Sequence, residues 1–124
     1  MSVPDLGQQA GIRLHEAARA GEFHMSADAA RELAASCDRL VERVQQARTG
    51  AADLTRVSGF PDLPSGRALT AGFDAKGREY LEVLDAFEQA TLRHKAAYLA
   101  AAALFEEADA ANGAALAAAV AVTP

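Results

Sequence analysis

The sequence predicts an all-α chain organised as an antiparallel helix-turn-helix hairpin with a short additional N-terminal helix, and three observations carry that prediction. An apolar stripe runs Ala30, Leu33, Cys37, Leu40, Val44, Ala47, Ala51, Leu54, with Val57 closing it, in steps of three or four residues throughout. A second runs Phe73, Gly77, Tyr80, Leu84, Phe87, Thr91, His94, Tyr98, Ala101, Phe105, Ala108, again in alternating fours and threes. Between them lies the short break Ser58-Gly59-Phe60-Pro61-Asp62-Leu63-Pro64-Ser65-Gly66, rich in turn residues. Two long helices joined by so short a segment must fold back on each other. No strand pattern competes anywhere along the chain.

Taken in order, residues 5–20 form a short helix with Leu6, Ala10, Leu14 and Ala17 on one side, although Gly7 and Gly11 each cost it roughly 1 kcal/mol relative to Ala. Gly21 is placed to stop it as a C-terminal cap, and residues 22–25 connect. Ser26, with Asp28 two residues on, supplies a capped and dipole-matched start for the first long helix, residues 27–57. The turn is residues 58–65. Ser65 then caps a second long helix, residues 66–112, which Asn112-Gly113 stops, leaving residues 113–124 as a flexible tail. At 1.5 Å per residue the two long helices measure about 46 and about 69 Å, so the second outruns the first by about fifteen residues.

The chain of 124 residues has room for a single domain, and about a quarter of it is alanine. Helix-favouring positions are therefore plentiful and large core side chains scarce. A lone hairpin built this way has a face left to bury, so it completes a bundle by packing on itself or on a partner. The net charge of −5, with 17 acidic against 12 basic residues and no basic cluster interleaved with aromatics, argues against nucleic acid as that partner. The continuously apolar residues 114–122 fall well short of the roughly twenty needed to span a bilayer, so no stable membrane insertion is expected. Met1-Ser2-Val3-Pro4-Asp5 carries no positive n-region and no apolar core follows, so no Sec signal peptide is expected.

Catalytic chemistry finds no foothold. The single cysteine, Cys37, falls on the first seam, where a small buried thiol is its natural role. No disulfide or cysteine-containing metal motif exists. His94 sits on the second seam, and neither it nor His15 or His24 is accompanied by a glycine-rich elbow or oxyanion-hole sequence. A di-metal bundle needs Glu-x-x-His pairs, and His94 has Thr91 at that position. No enzyme, cofactor or metal is expected. Glu106, Glu107 and Asp109 form an acidic run whose ordinary role is solvation of a helix surface.

The segment beyond Tyr98 holds one local motif, Phe105-Glu106-Glu107-Ala108-Asp109, an aromatic with a carboxylate four residues later on the same helical face. Together with the break Val57-Ser58-Gly59, it makes residues 27–112 resemble the WXG superfamily of small helical-hairpin substrates of type VII (ESX) secretion systems, and especially its WXG-like actinobacterial relatives. In that family a Trp-x-Gly motif marks the hairpin turn and a Tyr-x-x-x-Asp/Glu motif serves as export signal. Here Val57 stands where the Trp would be, Gly59 keeps the glycine and Phe60 offers a nearby aromatic. Phe105 stands for the Tyr, and Asp109 keeps the acid.

The resemblance implies a non-enzymatic protein, made in the cytoplasm and secreted by a type VII system without a Sec signal. It implies a four-helix bundle formed with itself, as a dimer, or with a second hairpin protein, and contact with a larger secreted effector or a secretion ATPase. The expected association seam is Leu33, Leu40, Val44, Leu54, Tyr80, Leu84, Phe87 and Tyr98, the turn motif Val57, Ser58, Gly59 and Phe60, and the docking signal Phe105 with Asp109. The alternative is a cytosolic adaptor or chaperone-like module that is not exported, with the N-terminal helix folded over the hairpin to close a three-helix bundle.

Overall fold

The structure, a computed structural model, describes residues 4–122. Among them four α-helices follow one another: α1 Gln8–Arg19, α2 Ala27–Ala51, α3 Pro64–Ala101 and α4 Phe105–Val122, with a 3₁₀ turn Ala52–Thr55 prolonging α2. No described residue lies in a strand. The helix α3 is the spine: α1, α2 and α4 each pack against it, and their backbones do not pack against one another.

Local signals explain most of the boundaries. The Ser26 hydroxyl accepts from the Ala29 N–H at 3.2 Å and so caps α2. Gly21, at φ +77°, ends α1 in a left-handed turn in which Gly21 N–H reaches the Ala18 carbonyl and Glu22 N–H the Ala17 carbonyl. The first helix starts later than residue 5, because Leu6 (φ +54°) and the cap residue Gly7 (φ +91°) are left-handed; from before them the Asp5 carboxylate accepts from Gln9 N–H and its carbonyl from Gln8 N–H. The α2 helix stops at Ala51 rather than Val57, tightening into the 3₁₀ turn. The start of α3 is Pro64, not Ser65, which lies inside the helix; proline at the first helical position needs no N–H.

The largest departure from the sequence reading is at residues 102–104. The second long helix does not run on to residue 112. It ends at Ala101, and Ala103 takes a left-handed φ of +59°. The Leu104 N–H donates to the Leu99 carbonyl at 2.9 Å and the Ala103 N–H to the Ala100 carbonyl at 2.9 Å, a complete Schellman cap made without glycine. The chain then reverses, and α4 runs back along α3. It passes straight through Asn112 and Gly113 to Val122, so most of the expected tail is helical. Residues 123 and 124 of that tail, and Met1, Ser2 and Val3, lie outside the described residues.

The core explains the reversal. Its members are Ala18, Ala34, Ala96, Leu99, Ala100, Ala101, Ala108 and Ala111, with Phe23, Met25 and Leu104 packed against them. Each buried methyl contributes only about 0.8 kcal/mol. Seven alanines nevertheless let three helices close on α3 at short range, and covering Leu99 and its neighbours with α4 outweighs a left-handed alanine costing roughly 1–2 kcal/mol. The Met25 N–H donates to the Ala101 carbonyl at 3.0 Å, tying the α1–α2 connector to the end of the spine.

The other end of the spine is bare. Every buried α3 residue before Ala86 is a glycine, Gly66 or Gly77. At both, backbone presses on backbone: a β-carbon on Gly66 would collide with the Pro61 carbonyl oxygen, and one on Gly77 with the Leu54 carbonyl oxygen. The molecule is thus a four-helix bundle at one end and a two-helix stalk at the other.

Candidate functional site

The apolar stripes read from the sequence form only part of the buried contact between α2 and α3: their small members Ala30, Val44, Ala51, Gly77, Thr91 and Ala101 are buried, and most of their large ones are not. On α2 the buried residues are Ala30, Ala34, Val44 and Ala51, whereas Leu33 and Leu40 are each 38% exposed. On α3 the half-exposed line is Leu69, Phe73 and Tyr80, continued by the half-buried Leu84, Phe87 and Tyr98. Of the expected seam only Val44 is buried; Leu54 and Tyr80 are exposed. Alanines and glycines occupy the contact face because they permit the closest approach, and the larger side chains are displaced to its edge.

Leu6, Cys37, Leu40, Phe87, Thr91, His94 and Tyr98 line one shallow groove between α2 and α3, with a volume of about 260 Å³. Along α3, Phe73, Tyr80, Phe87, His94 and Tyr98 repeat at helical spacing, so Phe73 and Tyr80 of the stalk lie on the helix face that lines the groove. On the stalk Leu54, Phe60, Leu63, Leu69, Phe73 and Tyr80 are all exposed, and the rings of Phe60 and Phe73 stack at 5.8 Å.

The turn residues hold this end in shape. The Val57 N–H donates to the Asp74 carboxylate at 2.7 Å, pinning the turn to α3. Gly59 has φ +100°, a conformation that side chains disfavour, and Ser58 is exposed. Val57 is half-buried, and the aromatic of this end is Phe60 on Phe73.

Phe105 and Asp109 share a face of α4, but they do not project on a helix that outruns its partner. Both meet α1. The Arg19 guanidinium stands over the Phe105 ring at 5.2 Å and is ion-paired with Asp109. Both motif side chains keep access to solvent: Phe105 is 42% exposed and the Asp109 side chain 65%. Arg19 Nε also donates to His15 Nε2 at 3.2 Å, and burial, with the Arg19 and Arg93 guanidiniums adding to it, holds the His15 pKa below its ordinary value. Arg31 pairs with Glu107 at 3.4 Å, a second tie between α4 and the bundle. The sequence gives no local sign of Arg19, since its partners lie on a helix that the seam places elsewhere.

A polar cluster absent from the sequence reading sits between α2 and α3. Glu88, only 6% exposed, accepts from Gln45 at 3.0 Å and from Arg48 at 3.1 Å, and Arg48 also pairs with Asp85 at 2.6 Å. Two carboxylates around one guanidinium fix the register of the two helices, and such a group is costly to break once buried.

Nucleophilic chemistry is disfavoured where its components meet. Cys37 and His94 line the same groove, but burial and then Asp38 push the thiol pKa up, the opposite of activation. His94 Nδ1 is bonded to the Ala90 carbonyl at 2.8 Å. Among the described residues no group of three or more His, Cys, Asp or Glu is placed to hold a metal ion, and no helix is long and apolar enough to cross a membrane. Comparisons with family models, with curated proteins and with solved structures find no match for this chain.

Proposed function

We propose that the chain is a non-enzymatic helical-hairpin protein that acts by helix–helix association, as the type VII secretion substrates it resembles do, through the open α2/α3 face. The single observation that carries this reading is the run of large side chains at helical spacing along α3, half-buried at Tyr98, Phe87 and Leu84 and exposed at Tyr80, Phe73 and Leu69. Monomers seldom leave contiguous apolar patches beyond a few hundred Å², and amphipathic helices are natural occupants of a groove between two helices. The partner is a second helical hairpin or another copy of the chain. The exposure of Phe105 and Asp109 supports their assignment as the docking signal for export machinery.

Sedimentation from low to high micromolar concentration, alone and with a candidate hairpin partner, tests the reading. Association that Phe73→Asp reduces, by one step of assembly or altogether, supports it. A compact monomer that captures no partner contradicts it and favours the rival, a self-contained adaptor. That rival has one observation of its own: α1 and α4 both lie on α3, so the bundle end is closed by the chain itself.

A further inference from the structure

We propose that two copies of the chain exchange α4, opening at residues 102–104 so that α3 and α4 run on as one helix and each α4 lies on the other copy's α3. The inference does not rest on the open α2/α3 face.

The reversal is built from residues that prefer the alternative. Ala102, Ala103 and Leu104 are all strong helix formers, with no glycine, proline or asparagine among them, yet Ala103 is held at φ +59°. Straightening relieves that strain and returns three residues to their preferred conformation. The apolar spacing allows it, since Tyr98, Ala101, Phe105, Ala108 and Ala115 keep three-, four- and seven-residue steps across the break.

A straightened chain has only one good occupant for what it uncovers. Removing α4 from α3 bares Leu99 and the alanines around it, together with the Ala108, Ala111 and Ala115 face of α4. The surface that fits each is already in the molecule, so a second copy restores every contact. The backbone of α4 packs on α3 and not on α1 or α2, and its side chains share one core cluster with Ala18 and Ala34 and ion pairs with Arg19 and Arg31; all of these are contacts between surfaces, which the α4 of a second copy can make equally well.

The test compares wild type, Ala103→Gly and Ala103→Val by sedimentation equilibrium after refolding at high concentration, with Phe73→Asp as control. Glycine favours the reversal and disfavours the straight helix, at roughly tenfold per hinge, so Ala103→Gly weakens dimerisation about a hundredfold. Valine tolerates a left-handed φ worse than alanine, so Ala103→Val strengthens it. Phe73→Asp leaves this dimer intact. The same dimer constant for all three Ala103 proteins, a monomer for all three at every concentration, or a dimer lost in Phe73→Asp yet indifferent to residue 103 overturns the proposal.

Discussion

Arg19 and Asp109, ninety residues apart in sequence, are ion-paired across the bundle, and the same guanidinium covers the ring of Phe105. One α1 residue thus engages both halves of the aromatic–acid motif. The pair is solvent-exposed, so its contribution is small, roughly 0.2–1 kcal/mol. Arg19→Ala and Asp109→Ala should each lower thermal stability slightly, and the double variant should lose little more than either alone, a coupling readable in a double-mutant cycle. Fully additive losses would show that the two residues do not interact.

Export supplies a separate readout of the same residues. In a strain carrying a type VII system, Asp109→Ala should abolish export or partner recruitment while folding is preserved, and Phe105→Tyr should improve it at little packing cost. If neither change alters export while the fold is intact, the spacing of Phe105 and Asp109 is a coincidence of helix geometry and the adaptor reading replaces the export reading.

The glycines divide by what surrounds them. Gly66→Ala and Gly77→Ala force a β-carbon into a backbone carbonyl and should lower stability by about 1–3 kcal/mol. Gly72→Ala and Gly113→Ala, on open helix surface, should raise it by roughly 0.5–1 kcal/mol. Gly59→Val, at a positive φ, should cost about 1 kcal/mol or more and Ser58→Ala nothing comparable. Denaturant midpoints for the five variants at glycine positions should fall into those two groups; a shared direction would contradict the close approaches described here.

His15 gives a pH dependence with a defined sign. Its folded pKa lies below the unfolded value, so the unfolded chain binds the proton more readily. The stabilisation is present above about pH 6.5 and is lost as pH falls through the folded pKa. Melting temperature should therefore drop between neutral pH and pH 5 more steeply in wild type than in His15→Gln. Parallel profiles would remove His15 from the account.

Stability and association should separate on the open face. Leu99→Ala, at the centre of the core, should cost about 2–5 kcal/mol. Leu40→Asp, on a side chain already 38% exposed, should barely change melting but should prevent association through the open face. Equal destabilisation by the two would mean that Leu40 is buried in the monomer.

The helical periodicity made the all-α class legible, and Ser26 and Gly21 marked real boundaries because each carries its own capping chemistry. The reversal at Ala103 was invisible. Nothing in Ala102-Ala103-Leu104 disfavours a helix, and the fold-back is imposed by tertiary burial of Ala108, Ala111 and Ala115. The same alanines concealed which face of each helix is buried. The association seam drawn through the largest stripe residues selects Leu33, Leu40 and Tyr80, whereas close packing buries the small stripe members Ala30 and Gly77 and the off-stripe Ala34. The Phe105–Asp109 motif could be seen as a spacing, but its contact with Arg19 depends on the reversal and could not.

The most direct test of the central claim places a photo-crosslinking amino acid at Phe73, at Leu40 or at the exposed Gln46 of α2, in cells that express the chain. Association through the open face predicts adducts from positions 73 and 40 to one common helical protein, either the chain itself or a second hairpin, and none from position 46. No adduct from positions 73 and 40, or the same adduct from position 46, would contradict it.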